Sequence, residues 1–287
     1  MFHLIFAFLF LFFILQLVSL VSRKKVPVTK DHFQKGNPTK QANRTSMIPL
    51  DIWQTYRTRD IPRDAEKCRQ TWVHQKKSKY HFMDDHDIEQ FMRSHFDDPP
   101  YLTFVNFPLG VMRADMWRYC VLYVHGGIYA DIDSKLLKPV TDWNINPSDQ
   151  IIISLENDLH FCQWTIASVP RHPILKRVIE MIVQEAQNGI DTSDEHFVHK
   201  HTGPGIWTRA IHQTLGINEA QKAIDTWNIY NDPQKRSIFK KLGVRLESKT
   251  FFNGENVKNM YGSTQFKDGY HSWIEERDEI IKKNVKT

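Results

Sequence analysis

Cysteine is scarce in this chain. Only Cys68, Cys120 and Cys162 occur in 287 residues, and no two of them form a C-x-x-C pair. That argues against a zinc ribbon or a dithiol redox motif, and an odd count allows at most one disulfide. Cys120 falls in an apolar helical pattern and reads as a small core residue. A surplus of positive charge is also missing where it would matter. Of 38 Lys/Arg and 33 Asp/Glu, seven and one lie in residues 1–45, which leaves 31 and 32 for the rest. The globular part is near neutral, so a basic face for nucleic acid gains no support. Internal repeats are absent as well. With 41% hydrophobic residues, the composition is that of a folded chain, not a disordered one.

What is present starts with "MFHLIFAFLFLFFILQLVSLV", interrupted only by His3, Gln16 and Ser19. About 20 helical residues span a hydrocarbon core of about 30 Å, so residues 1–22 are expected to form a single-pass membrane anchor. A cleaved signal peptide calls for a charged start and a shorter apolar run. Two signals disagree on orientation. Arg23-Lys24-Lys25 follows the run and, by the positive-inside rule, keeps the domain cytosolic. Asn43-Arg44-Thr45 is a glycosylation acceptor triplet, which suits a lumen. Residues 23–46 are polar, with Pro27, Gly36 and Pro38, and read as a flexible stem before a folded domain at 47–287.

Within that domain, β-prone runs at 50–54, 79–83, 128–132, 150–155 and 164–169 alternate with helical patterns at 63–75, 108–125 and 173–187. Gly126-Gly127 is expected to stop the second helix through a left-handed C-cap. The alternation predicts an α/β sandwich around a mostly parallel sheet.

Two D-x-D triplets occur among 21 aspartates, and chance alone supplies roughly one or two. In the first, Asp85-His86-Asp87, Asp84-Asp85 reads as a helix N-cap leading into Ile88, Phe91 and Met92. The second, Asp131-Ile132-Asp133, closes the strand expected at 128–132. Ligands of open α/β sheets bind beyond such strand ends. Residues i and i+2 of an extended strand share a face, so both carboxylates converge. They repel unless a cation lies between them, and hard ions such as Mn²⁺ or Mg²⁺ share their oxygen shell with phosphates. One helix earlier, Asp115 and Arg118 lie three apart on one face. That pair is either a surface ion pair or part of the same cleft. Glu156, after an apolar strand, is the best carboxylate for acceptor contact or covalent attack.

The string "RADMWRYCVLYVHGGIYADID" resembles the signature of glycosyltransferase family 32. "HFCQWTIASVPRHPIL" and "TGPGIWTRAI" are similar to segments of its initiation-specific α-1,6-mannosyltransferases. The resemblance covers roughly residues 48–215. It implies a GT-A fold and a retaining, metal-dependent transfer of a hexose from a nucleotide sugar to a glycan or lipid. Mannose from GDP-mannose is favoured; UDP-sugar-dependent galactosyl or N-acetylglucosaminyl transfer is the alternative, and no residue separates guanine from uracil. Carried over by position, Asp133 binds the metal, and Asp131 contacts it or the donor. Arg113, Asp115 and Arg118 hold the donor sugar. Trp53, Gln54 and Tyr56 meet the nucleotide, Trp53 by stacking on the base. Gly203, Pro204 and Gly205 form an acceptor loop, and His271, Ser272 and Trp273 close on the phosphate. Residence in the Golgi or endoplasmic reticulum, lumen-facing, follows from the same resemblance.

Three other readings compete. A haloacid-dehalogenase-type phosphatase places its D-x-D on the first strand, which this chain does not. His196, His199 and His201 resemble metal ligands, but their surroundings predict a solvated loop. A non-catalytic binding module would not need Asp115, Arg118, Asp131 and Asp133 together.

Overall fold

The computed structural model describes residues 47–217, 230–260 and 273–284. The anchor and stem expected at 1–46 lie outside them, as do His271 and Ser272. Among the described residues, no helix is long and apolar enough to cross a membrane.

Strands β1 (Ile52–Thr55), β2 (Tyr80–Met83), β3 (Gly127–Ala130), β5 (Ile151–Ser154), β6 (Thr165–Ser168) and β7 (Val244–Glu247) form one sheet. Their spatial order is β2-β1-β3-β6-β5-β7. Every pairing is parallel except those of β6, which runs against both β3 and β5. The sheet is thus mostly parallel, with one reversed strand inside it. A second, two-stranded antiparallel sheet joins β4 (Ser134–Leu136) to β8 (Val257–Asn259).

Alternation along the strands sends side chains into two cores. Trp53, Tyr129, Ile151, Ile153 and Ile166 face one side. There they meet the helices α2 (Asp85–His95), α4 (Gly110–His125), α5 (Pro173–Asn188) and α7 (Pro204–Thr214). Ile52, Ile128, Ala130, Ile152 and Ala167 face the other side, against Trp72 of α1 (Arg63–Val73), Trp143 and Phe252. Ile128, Ile151, Ile152 and Ile153 are fully buried. Each contributes roughly 1.5–3 kcal/mol of apolar burial. All three cysteines are buried and free.

Helix α4 reverses straight into β3 through two glycines. Gly126 has φ +67° but ψ −163°, so it turns the chain without the left-handed helical cap expected there. A Cβ on it would lie 2.8 Å from Pro170 Cδ, and one on Gly127 (φ +103°) would lie 2.5 Å from the Asp51 carbonyl oxygen. No other residue fits either place.

Three expectations need correction. Strand β3 ends at Ala130, two residues early, so Asp131-Ile132-Asp133 is a turn and not an extended strand. The turn is pinned by Ser134, whose amide (3.0 Å) and hydroxyl (2.5 Å) both donate to the Asp131 carbonyl. The helix expected from 108 begins at Gly110, because Leu109 is extended. The segment around His196 to His201 is not a loop: Phe197–His201 forms a short helix, α6. A further helix between α2 and α4, α3 (Asp98–Val105), carries Pro99 and Pro100 in its first turn. The remaining described helices are α8 (Pro233–Lys241) and α9 (Trp273–Asn284).

Candidate active site

The carboxyl end of β3 opens into a cleft of about 820 Å³. Asp131, Ile132 and Asp133 form part of its wall, opposite the first turns of α4. The turn is held by backbone contacts: the Asp131 amide donates to the Trp164 carbonyl at 2.8 Å, and the Met260 amide to the Asp133 carbonyl at 3.0 Å. Gln54, fully buried on β1, donates to the Asp131 carbonyl at 3.1 Å and accepts from the Tyr80 hydroxyl at 2.9 Å. Gln54 therefore positions the turn and does not line the cleft.

Arg118 is the hub of the side-chain network. Its Nη2 donates to Asp131 Oδ1 at 2.9 Å, and its Nη1 lies 2.7 Å from Asp115 Oδ1. The guanidinium stacks 4.9 Å from the centre of the Tyr129 ring, whose hydroxyl also donates to Asp131 Oδ1 at 2.5 Å. Asp115 is closed on its other side by the Thr202 hydroxyl, which donates to Oδ2 at 2.8 Å. Gln163 Nε2 donates to Asp115 Oδ1 at 3.4 Å and its carbonyl accepts from the Tyr119 hydroxyl. Asp115 and Arg118 are thus a buried pair, not the surface pair that spacing alone allowed.

The charges follow from these contacts. Burial opposes the charge of Arg118, but Asp131, Tyr129 and Asp115 outweigh it, and its pKa is raised well above the ordinary value. Burial pushes Asp115 up to about 6, against the pull of Arg118 and Thr202. Glu156 is pushed up to about 7, first by burial and then by the nearby Asp131 carboxylate, with Arg118 opposing. Its Oε2 is buried in the cleft wall without a hydrogen-bond partner. A carboxyl group so placed exchanges a proton near neutral pH.

Of the other residues expected at the site, Tyr56, Arg113, Gly203, Pro204 and Trp273 line the cleft. Arg113 Nε is buried there without a partner. Gly205 lies behind the wall, where a Cβ would meet the His199 carbonyl at 2.8 Å. Trp53 must be withdrawn as a base-stacking residue. It is buried, sandwiched between His81 (4.0 Å) and His125 (5.3 Å), and donates its Nε1–H to the Gly126 carbonyl. The three histidines do not converge: His196 and His199 line the cleft, while His201 Nδ1 pairs with Glu185. Among the described residues, no group of three His, Cys, Asp or Glu is arranged to hold a metal. His199 is held neutral, its pKa lowered to about 4 by burial and by His160.

Sequence reasoning gave no role to Gln163 or Thr202, read Asp85 only as part of a helix cap and weighed His199 only as a metal ligand, yet the fold brings all four to the cleft or its supporting network. Gln163 and Thr202 sit inside the quoted "HFCQWT" and "TGPG" strings, so their polarity amid apolar neighbours was the available signal.

The model of the glycosyltransferase sugar-binding region containing a DXD motif matches residues 53–156. Residues 53–156 are thus similar to this glycosyltransferase region. It is 32% identical over 194 residues to the initiation-specific alpha-1,6-mannosyltransferase of Schizosaccharomyces pombe, covering 57% of this chain and 48% of that one. It is 29% identical over 144 residues to the mannosyl phosphorylinositol ceramide synthase SUR1 of Saccharomyces cerevisiae, covering 48% and 36%. The chain spans about half the length of the mannosyltransferase it matches. Among solved structures, the one titled PaToxG Glycosyltransferase aligns with a TM-score of 0.46 at 18% identity, over 69% of this chain and 79% of that chain. The family region runs from Trp53 to Glu156, so it contains the D-x-D turn, Arg118 and Glu156 together.

Proposed function

We propose that the chain is a divalent-metal-dependent, retaining mannosyltransferase of GT-A type, with GDP-mannose as donor and a glycan or lipid as acceptor. The observation that carries this reading is the Asp131–Asp133 turn beside Arg118 in a single cleft with Glu156. The names of the relatives support mannose. The expected anchor at 1–22 supports a membrane-tethered enzyme facing the lumen of the Golgi or endoplasmic reticulum.

The donor set suits a hard cation. Asp131 and Asp133 offer carboxylate oxygens from one turn that lines the cleft, the ligand type such an ion takes. Asp131 and Asp133 would hold Mn²⁺ or Mg²⁺ there, and such an ion would supply positive charge to offset the negative charge growing on the departing diphosphate. The chain's own residues do the rest. Arg118, kept charged by two carboxylates, fixes Asp131 through Oδ1 at the cleft wall. Arg118 and Asp115, with Arg113 beside them, orient the hydroxyls of the transferred sugar. Glu156 accepts a hydrogen bond from the attacking hydroxyl of the acceptor. The bond from the sugar's anomeric carbon to phosphate oxygen breaks, and a bond to the acceptor oxygen forms on the same face. The hydroxyl proton passes to the departing phosphate oxygen, which balances the step.

The test is a donor-turnover assay with Mn²⁺, comparing the full chain with Asp133→Ala. Turnover of GDP-mannose by the wild type alone is the expected result. Equal turnover by both proteins, or wild-type turnover untouched by chelation, would refute the reading.

A further inference from the structure

The first D-x-D triplet holds one acid that its capping role does not use. Asp84 Oδ1 accepts from the Asp87 amide at 3.0 Å, and its Oδ2 lies 3.1 Å from Arg59 Nε. Asp87 closes the capping box on the Asp84 amide at 3.3 Å and also pairs with Arg59. Asp85, between them in sequence, makes no carboxylate hydrogen bond or ion pair to any described residue. Its amide donates to the Arg57 carbonyl, and its side chain lines the cleft together with Tyr56, Thr58, Arg113 and Trp273. Asp85 is exposed at the cleft edge, where partial desolvation raises its pKa and Arg113 and Arg57 act to keep it ionised. The cleft therefore offers an acceptor-only group without a hydrogen-bond partner among the described residues, and two aromatic side chains, Tyr56 and Trp273, line the same cleft. The D-x-D turn and Glu156 belong to other stretches of the same wall.

We propose that Asp85 reads the base of the nucleotide and selects guanine. This inference rests on the nucleotide-sugar reading above. Guanine presents two adjacent donors, N1–H and the N2 amino group, which a carboxylate accepts side by side. Uracil presents a single N3–H between two carbonyl oxygens, so the second oxygen of Asp85 would face an acceptor. Tyr56 and Trp273 supply rings against which a base can pack. The choice between GDP- and UDP-linked donors, open on sequence alone, is thus assigned to a residue of the α2 first turn.

Calorimetric titration of the full chain in detergent with Mn²⁺ tests this with four nucleoside diphosphates. GDP is expected to bind about 10- to 100-fold more tightly than inosine diphosphate, which lacks the N2 amino group and so one bond to a charged acceptor. UDP is expected to bind more weakly still. Asp85→Asn is expected to cost GDP about 100-fold while changing UDP by less than about 3-fold. The same variant should prefer xanthosine diphosphate to GDP, because the Asn amide donates to the carbonyl that replaces the amino group. Inosine diphosphate binding as tightly as GDP, or equal losses of GDP and UDP in the variant, overturns the inference. If Asp85→Asn does not fold, the wild-type series alone decides. Metal-dependent binding that favours UDP overturns this inference and leaves sugar transfer standing. Failure of every nucleoside diphosphate to bind overturns both.

Discussion

The two D-x-D triplets share a pattern and little else. Asp85-His86-Asp87 opens a helix, and its acids are divided between capping, Arg59 and the cleft edge. Asp131-Ile132-Asp133 forms a turn at a strand end, with a buried arginine fixing its first carboxylate. The difference lies in where backbone amides point. A helix start offers free N–H groups that consume carboxylates, whereas in the turn after β3 the Asp131 and Ser134 amides donate to backbone carbonyls and the Asp131 carboxylate is met by side chains instead. Short acidic motifs are therefore sorted by the hydrogen-bond demands of their neighbours, not by their own sequence.

Breaking the second triplet should have the largest effect. Asp133→Ala is expected to lower the rate of sugar transfer about 10³-fold or more, with the fold intact by circular dichroism. Arg118→Met should follow. It leaves Asp115 buried without its cation, and urea denaturation should show a loss of about 3–5 kcal/mol. Its transfer activity should be lost as well.

Glu156→Gln sharpens the comparison from across the cleft. The ordinary carboxyl value of 4.5 is raised to about 7 in the folded state. Between those values the native protein binds more protons than the unfolded one, so this group's contribution to stability falls as pH rises from 4.5 to 7. The substitution is expected to stabilise by about 2 kcal/mol at pH 8 and by little at pH 4. Transfer should drop about 10- to 100-fold. Thermal melts at the two pH values, with assays alongside, check both parts. The smallest effect belongs to the first triplet's cap: Asp84→Ala should cost about 1 kcal/mol and leave the response to Mn²⁺ unchanged.

Much of the scaffold was readable because its periodicities are strong. The strands near 52, 80, 151 and 165 and the helices at 63, 110 and 173 stand within about two residues of expectation. What local pattern missed was decided at a distance. Trp53 looked available for a base, but alternation on β1 turns it into the core between two histidines. Asp131 and Asp133 looked extended, but Ser134 and Gln54 both donate to the Asp131 carbonyl and fold them into a turn. Asp115 and Arg118 were legible as a pair, yet their burial depends on Thr202, 87 residues downstream of Asp115. Asp85 was read only as part of a cap, because its neighbours carry the capping signal so strongly.

That long tie from Thr202 to Asp115 has a consequence for biogenesis. A ribosome releases the D-x-D turn well before it releases the threonine that steadies the arginine beside it. An incomplete chain thus exposes the acidic turn without the buried lock that tensions it. Until the downstream half docks, Asp115 would lack its hydroxyl donor, and its pairing with Arg118 would stand unfastened.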